Sequence, residues 1–319
     1  MFTIHGDIMK TLAIAQRSCL AIHIASLVFG LAGLLFVLPH SEFIVSLSEF
    51  GQTAFQWSMA GGGAVYMIAG AAAVSLYAYR NLGLGGWLAF MLPAVIVSLT
   101  AELTGTSTGF PFGHYHYLSG LGYKIADLVP FTIPLSWFYM GISSYLLAYR
   151  GLASLGWLRI PAAVATGAVL LTSWDFVLDP AMSQTSMPFW AWEVPGAFFG
   201  MPYQNFAGWF GTGAVFMTIA AILWQRNSVK LEQMPLDVPL VIYSGNFAFA
   251  TLISIHGGIY PPIFLGFLLG MAPAILLYQL AKAKAFSLQT LDLTVTESQG
   301  TQATADDFEQ LAVPSQGKV

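Results

Sequence analysis

One feature recurs along this chain and leaves few folds open to it. Stretches of about 20 residues carry almost no charge, and each is long enough as a helix to cross the hydrocarbon of a bilayer. They lie near residues 18–38, 55–79, 86–104, 128–149, 158–178, 203–224, 238–255 and 259–280. An ordinary soluble domain has roughly 25% charged residues; this chain has 8%, so surface that cannot face water must face lipid. The first run is too long for a signal-peptide core and lacks a small-residue cleavage site, so it reads as a retained span. The expected fold is all-α: a polytopic, multi-pass membrane helix bundle of about eight transmembrane helices, residues 1–285. A polar tail follows, 286–319, without a periodic apolar face and expected to be disordered.

Charge gives that bundle an orientation. Lys10, Arg17, Arg80, Arg150, Arg159, Arg226, Lys230, Lys282, Lys284 and Lys318 fall on one side of an eight-span arrangement, and only Lys124 on the other. Basic residues accumulate in cytoplasmic loops, which puts both termini in the cytoplasm. Spans three and five then run outward. Glu102, His114, Asp175, Asp179, Glu193, Asn205 and His256 all come to the outer end. The two long outer connections, after Gly105 and around Trp190, are aromatic rather than charged and are expected as re-entrant or interfacial loops. No basic block suggests nucleic acid. Cys19 is the single cysteine, which excludes a disulfide framework and a thiolate cluster. No internal repeat points to an inverted-repeat transporter.

Three acids carry the candidate chemistry. Asp175 and Asp179 are four residues apart, hence one above the other on a helix face. Two carboxylates in a low-dielectric site cannot both ionise cheaply, so one is expected to keep its proton and serve as a general acid. The plainer reading makes Asp179, just before Pro180, a helix end at the interface. Glu102 lies in the last turn of span three. An acid at the bilayer centre costs roughly 2.5–3.5 kcal/mol and is a functional candidate by default, although near a helix end it also reaches headgroup water. His114 and His116 alternate with Tyr115 and Tyr117. An H-x-H pair beside acids is a thin metal-ligand set, so interfacial hydrogen bonding is the plainer role and no metal is expected. His5, His23 and His40 lie apart and receive no role. Gly266-x-x-x-Gly270 reads as a helix-packing pair. The aromatic residues of the outer loops form an interfacial belt or, on the sharper reading, line the site of a flat, conjugated, apolar ligand.

Together these residues resemble a family. The stretch Ala101-Glu102-x3-Thr106-x-Thr108-Gly109-x-Pro111-Phe112-Gly113-x-Tyr115-x-Tyr117 is similar to the membrane carotenoid hydratases of cyanobacteria and haloarchaea. Val129-Pro130 with Trp137, Trp174-Asp175-x3-Asp179-Pro180, Trp190-x-Trp192 and Phe199-Gly200-x-Pro202-x2-Asn205-x2-Gly208-Trp209 fit the same pattern. The resemblance covers roughly residues 55–280. It implies addition of water across the terminal 1,2 double bond of an acyclic ψ end group, on γ-carotene or lycopene-type ends towards myxol glycosides or on bisanhydrobacterioruberin towards bacterioruberin. It also implies membrane lipid and a carotenoid as partners, and a complex with other carotenoid-biosynthesis enzymes as a further expectation.

Such a reaction needs an acid, cation stabilisation, a placed water and a base, and neither a redox cofactor nor a metal. Asp175 is the expected acid, with Asp179 making its ionisation costly. Glu102 is the expected base that orients water, helped by His114 or Tyr115. Trp174, Trp190 and Trp192 would flank the cation, worth ~2 kcal/mol when desolvated, with Phe112, Asn205 and Trp209 completing the substrate-binding set. Two rivals stay open: a membrane prenyltransferase or cyclase acting on isoprenoids, for which Asp175-x3-Asp179 has the acid spacing, and a non-enzymatic carotenoid-binding protein.

Overall fold

A computed structural model describes residues 2–287 apart from 186, 226 and 227. The expected tail, 286–319, lies outside the described residues beyond 287. Helix α1 (Phe2–Ala32) runs on through a π-helical turn, Gly33–Val37. A short α2 (Ser41–Ser46) leads to α3 (Glu49–Thr108). As one rod, 60 residues would reach about 90 Å, three times the roughly 30 Å of hydrocarbon. The helix breaks instead at Gly83, whose φ of 75° and ψ of −179° favour glycine. The contacts before and after it show the chain reversing. Gly63 lies against Gly120 in the connection that follows α3. Further along, the Tyr77 hydroxyl donates to the Pro235 carbonyl at 2.7 Å, at the other end of the bundle. Past the break, the Gly86 carbonyl accepts from Trp224 Nε1 at 2.7 Å, and Glu102 returns to the first end.

The remaining helices are α4 (Thr132–Gly151), α5 (Arg159–Ser183), α6 (Tyr203–Trp224), α7 (Ser228–Gln233), α8 (Asp237–His256) and α9, which starts at Tyr260 and continues through a π-helical turn to Ser287. A 3-10 turn, Ala153–Leu158, joins α4 to α5. Six helices (α1, α3, α5 with its 3-10 lead-in, α6, α8 and α9) are long and apolar enough to cross a membrane by length and composition. About eight were expected. The difference falls at α3, which holds two of the expected runs in one element, and at α4.

Helix α4 is buried along nearly its whole length, packed by α3, α5, α6 and α8. A helix surrounded by protein need not be as apolar as one surrounded by lipid, and α4 accordingly carries Ser136, Ser143, Ser144 and three tyrosines. The outer helices show the converse. Phe29, Phe36, Phe50, Trp57 and Phe264 are exposed, a belt that only lipid would cover favourably. The Gly266–Gly270 pair packs as expected: a Cβ on Gly270 would stand 2.9 Å from that of Ser173 on α5.

One end of the bundle collects the basic residues. Arg80 donates to Gln16 at 2.5 Å, Arg150 to the Met234 carbonyl at 2.5 Å and Lys284 to the Ala153 carbonyl at 3.0 Å, while Arg159 pairs with Glu232. The start of α1 and the end of α9 share that end. The opposite end carries the expected loops, and these are partly strand. Strand β1 (Tyr115–Tyr117) pairs antiparallel with β4 (Trp190–Trp192), placing Tyr115 opposite Trp192 and Tyr117 opposite Trp190. A second small ribbon joins β2 (Lys124–Ile125) to β3 (Val129–Pro130).

Candidate active site

The β1–β4 ribbon lies across the helix ends that bear the acids. Side chains alternate between the two faces of a strand. Tyr115 and Tyr117 therefore share one face with their cross-strand partners Trp190 and Trp192, while His116 and Ala191 take the other. The inward face aims four ring donors at buried carboxylates. Glu102 Oε2 accepts from the Tyr115 hydroxyl and, at 2.8 Å, from the Tyr117 hydroxyl. Its Oε1 accepts from Trp137 Nε1 on α4 at 2.9 Å. Asp179 is held in the same way. Oδ2 accepts from Trp190 Nε1 at 3.0 Å, and Oδ1 from Trp192 Nε1 at 3.0 Å and from the Ser183 hydroxyl at 3.1 Å. Burial, and then the Glu102 carboxylate beside them, push the Tyr115 and Tyr117 phenols well up from their ordinary value, so both remain donors.

Asp175 is the exception. It is 1% exposed, and its Oδ2 accepts from Asn205 Nδ2 on α6 at 2.7 Å. Oδ1 receives no hydrogen bond among the described residues. Asp175, Asp179, Glu102 and Asn205 line one cavity of about 60 Å³. Its other walls are aromatic. Trp137 stacks on Trp209 with centroids 4.0 Å apart, and Trp174 meets Trp209 edge-on at 5.8 Å. Phe112, Tyr115 and Trp192 continue the lining. Among the described residues Trp174 Nε1 is buried without a partner, and no lysine or arginine lines the cavity. Among the described residues no group of three or more His, Cys, Asp or Glu is arranged to hold a metal ion.

The structure therefore brings together Glu102, Phe112, Tyr115, Trp174, Asp175, Asp179, Trp190, Trp192, Asn205 and Trp209. It does not bring His114. That side chain is exposed, with its ring beside Gly109, and His116 is exposed as well. The alternation that turns Tyr115 and Tyr117 inward turns the histidines out, so His114 lies apart from the cavity that holds the other expected residues. The reading of Asp179 as a helix end is corrected too, because α5 continues through Pro180 to Ser183 and leaves Asp179 buried. Two donors to Glu102 were not singled out as site residues from the sequence. Both stood in the pattern of the resemblance, Trp137 with Val129-Pro130, and Tyr117 had a further local signal: the Tyr-His-Tyr alternation is the period of a strand.

Residues 62–273 match the family described as carotenoid biosynthesis protein. Bisanhydrobacterioruberin hydratase of Haloarcula japonica is 35% identical over 143 residues, 44% of this chain and 46% of that protein. The aligned part thus spans less than half of the relative's length. No solved structure matches. The matched region, 62–273, contains every carboxylate and aromatic residue of the cavity, and on that match the chain belongs to the carotenoid biosynthesis protein family.

Proposed function

We propose that the protein is a carotenoid hydratase that adds water across the terminal 1,2 double bond of an acyclic ψ end group. The observation that carries the reading is the unequal treatment of three buried carboxylates on one small aromatic cavity. Glu102 accepts three hydrogen bonds and Asp179 one indole N–H on each oxygen, with the Ser183 hydroxyl shared between its Oδ1 and its own carbonyl, whereas Asp175 accepts one and keeps Oδ1 free among the described residues. A proton on Oδ1 is then the one presented to substrate.

Transfer of that proton to C2 draws on the π pair of the double bond, forms the C2–H bond and leaves a tertiary cation at C1. The faces of Trp174, Trp190 and Trp192 offset the charge, at ~2 kcal/mol in a desolvated site. A cavity water forms the C1–O bond and releases a proton to Glu102, whose Oε1 has a lone pair left beside Trp137. Tyr115 and Tyr117 fix that carboxylate. Return of the proton to Asp175 through cavity water completes the cycle. One water is added and no electrons are exchanged, so the steps call for no redox partner. The hydratase activity in the name of the Haloarcula japonica protein favours hydration over prenyl transfer, as does a cavity with no basic residue among the described ones to hold a diphosphate.

The test is the origin of the new atoms. In ¹⁸O-labelled water the tertiary hydroxyl should carry the label, and in deuterated water C2 should gain one non-exchangeable deuterium. Oxygen taken from ¹⁸O₂ instead would end the reading.

We further read the bundle as eight crossings, with α3 counted on both sides of Gly83 and α4 included, and with both termini cytoplasmic. In a Cys19→Ala background, Ser119→Cys should react with an impermeant maleimide in intact cells and Ser154→Cys only after lysis. The opposite pattern would invert the orientation.

A further inference from the structure

The carboxylate cavity is small. Its 60 Å³ or so is room for a few water molecules and far too little for the chain of a carotenoid. The rest of a long conjugated molecule must lie elsewhere, and a second space adjoins the first. A groove of about 590 Å³ runs between α1 and the first half of α3, on the side of the bundle that faces lipid. Tyr66, Phe189 and Phe249 line both spaces. Tyr66 and Phe249 are in ring contact, with centroids 5.9 Å apart, so the residues shared by cavity and groove are all aromatic.

The groove suits a flat apolar chain. Its other large side chains include Phe29, Trp57 and Leu34, and its polar side chains besides Tyr66 are the hydroxyls of Ser26 and Ser58. Glycines at 33, 61 and 62 form part of its lining. A glycine inside a helix costs about 1 kcal/mol relative to alanine, and neighbouring helices commonly explain it. Here they do not: a Cβ on Gly33 or Gly61 would meet nothing within 4 Å, and one on Gly62 would meet only Ser58 Oγ, at 3.9 Å. What these glycines keep clear is the groove itself.

We infer that this groove holds the polyene chain of the substrate, with the ψ end passing Tyr66, Phe189 and Phe249 to reach Asp175. The inference rests on the hydratase reading for the identity of the occupant. It makes α1 a wall of the substrate site, although α1 contributes nothing to the carboxylate cavity. It also gives the substrate a lateral path from lipid without passing through water.

The test uses the full chain in detergent, with lycopene as the long substrate and a short acyclic isoprenoid bearing the same end group as the control. Gly61→Leu and, from the opposite wall, Gly33→Leu put bulk into the groove from positions where the added Cβ meets nothing within 4 Å. Each should raise KM for lycopene by about tenfold or more, the loss of roughly 1.4 kcal/mol of binding. Each should also lower the lycopene retained through purification. Turnover of the short substrate should stay at the parent level, which reports that the variant is folded and the cavity intact. Unchanged KM and retention for lycopene in both variants would overturn the inference, leaving the groove to lipid. Should the parent protein make no hydrated product at all, the hydratase reading fails separately. Retention then decides the groove: lycopene held by the parent and lost from Gly61→Leu supports it, and equal retention by both sinks it.

Discussion

Two polar clusters are buried in this bundle, and they are built to opposite ends. The first joins His23 of α1, Tyr139 of α4 and Asn246 of α8. His23 Nε2 accepts from Asn246 Nδ2 at 3.0 Å, and Nδ1 donates to the Tyr66 carbonyl at 2.8 Å, an assignment to the neutral ring that follows from the partners. Asn246 also donates to the Ile242 carbonyl at 2.8 Å and accepts from the Tyr139 hydroxyl at 3.4 Å. Every polar atom of the His23 ring and the Asn246 amide is used within the cluster. The second cluster is the carboxylate site, where both oxygens of Glu102 and of Asp179 accept hydrogen bonds but Asp175, which lines the cavity, has none on Oδ1 among the described residues. Polar groups inside a membrane hold helices together when they are satisfied by one another. Reactivity requires one that is not. The His23 cluster fastens α1 to α3 and α8; the carboxylate cluster leaves one atom for a substrate.

The comparison breaks most readily at Asp175. Asp175→Asn keeps the shape and can still meet Asn205, but it has no proton to give. General-acid help is typically worth about 10²–10⁴-fold in rate, so turnover should fall by that much while the thermal midpoint in detergent moves little. Glu102→Gln should also be slow, and it should lose stability as well, since an amide presents a donor where the carboxylate met three. A fully active Asp175→Asn protein would show that the free oxygen is not the acid.

A smaller effect, and of the other kind, is expected at His23. His23→Leu removes the second donor from the Tyr66 carbonyl, which keeps its partner within α3, and leaves one hydrogen of Asn246 unpaired. Interhelical hydrogen bonds in membrane proteins average about 0.6 kcal/mol and reach about 1.7, so the melting temperature should drop by a few degrees. Product formed per folded molecule from a short substrate should not change. A large loss of turnover at unchanged stability would join the two clusters into one machine and dissolve the distinction.

Much of this arrangement was legible in residue order, and the part that was not has a physical cause. Apolar runs locate helices because lipid imposes a length and a polarity on each one. Asp175 and Asp179 declare a shared face because a helix turns every 3.6 residues. Both signals are local. Trp137 reaches Glu102 from 35 residues away, and β1 finds β4 across a separation that contains two helices; neither contact is written in any short window. His23 was equally opaque. A lone histidine in an apolar run reveals nothing until Asn246, on another helix, is seen to meet it. The strand over Tyr115–Tyr117 was within reach, since its alternation is visible, but three residues among turns and glycines carry little weight against a long interfacial loop.

That alternation yields the smallest expected effect and the most exact comparison between neighbours. His114 and Tyr115 are consecutive, yet one is exposed and the other is 5% exposed with its hydroxyl on Glu102. What the fold uses of His114 is its carbonyl, which accepts from the Glu193 amide at 3.0 Å and survives substitution. His114→Ala should therefore leave kcat within the spread of ordinary surface changes, about 0.5 kcal/mol or less. Tyr115→Phe removes one donor from a buried carboxylate, a bond typically worth about 1.5–3 kcal/mol, so kcat should fall roughly tenfold to a hundredfold if Glu102 must be held to take a proton from water. Measuring both on the same substrate sets them against each other. An inert Tyr115→Phe beside a crippled His114→Ala would mean that the outer face of the ribbon, not the inner one, meets the reacting water.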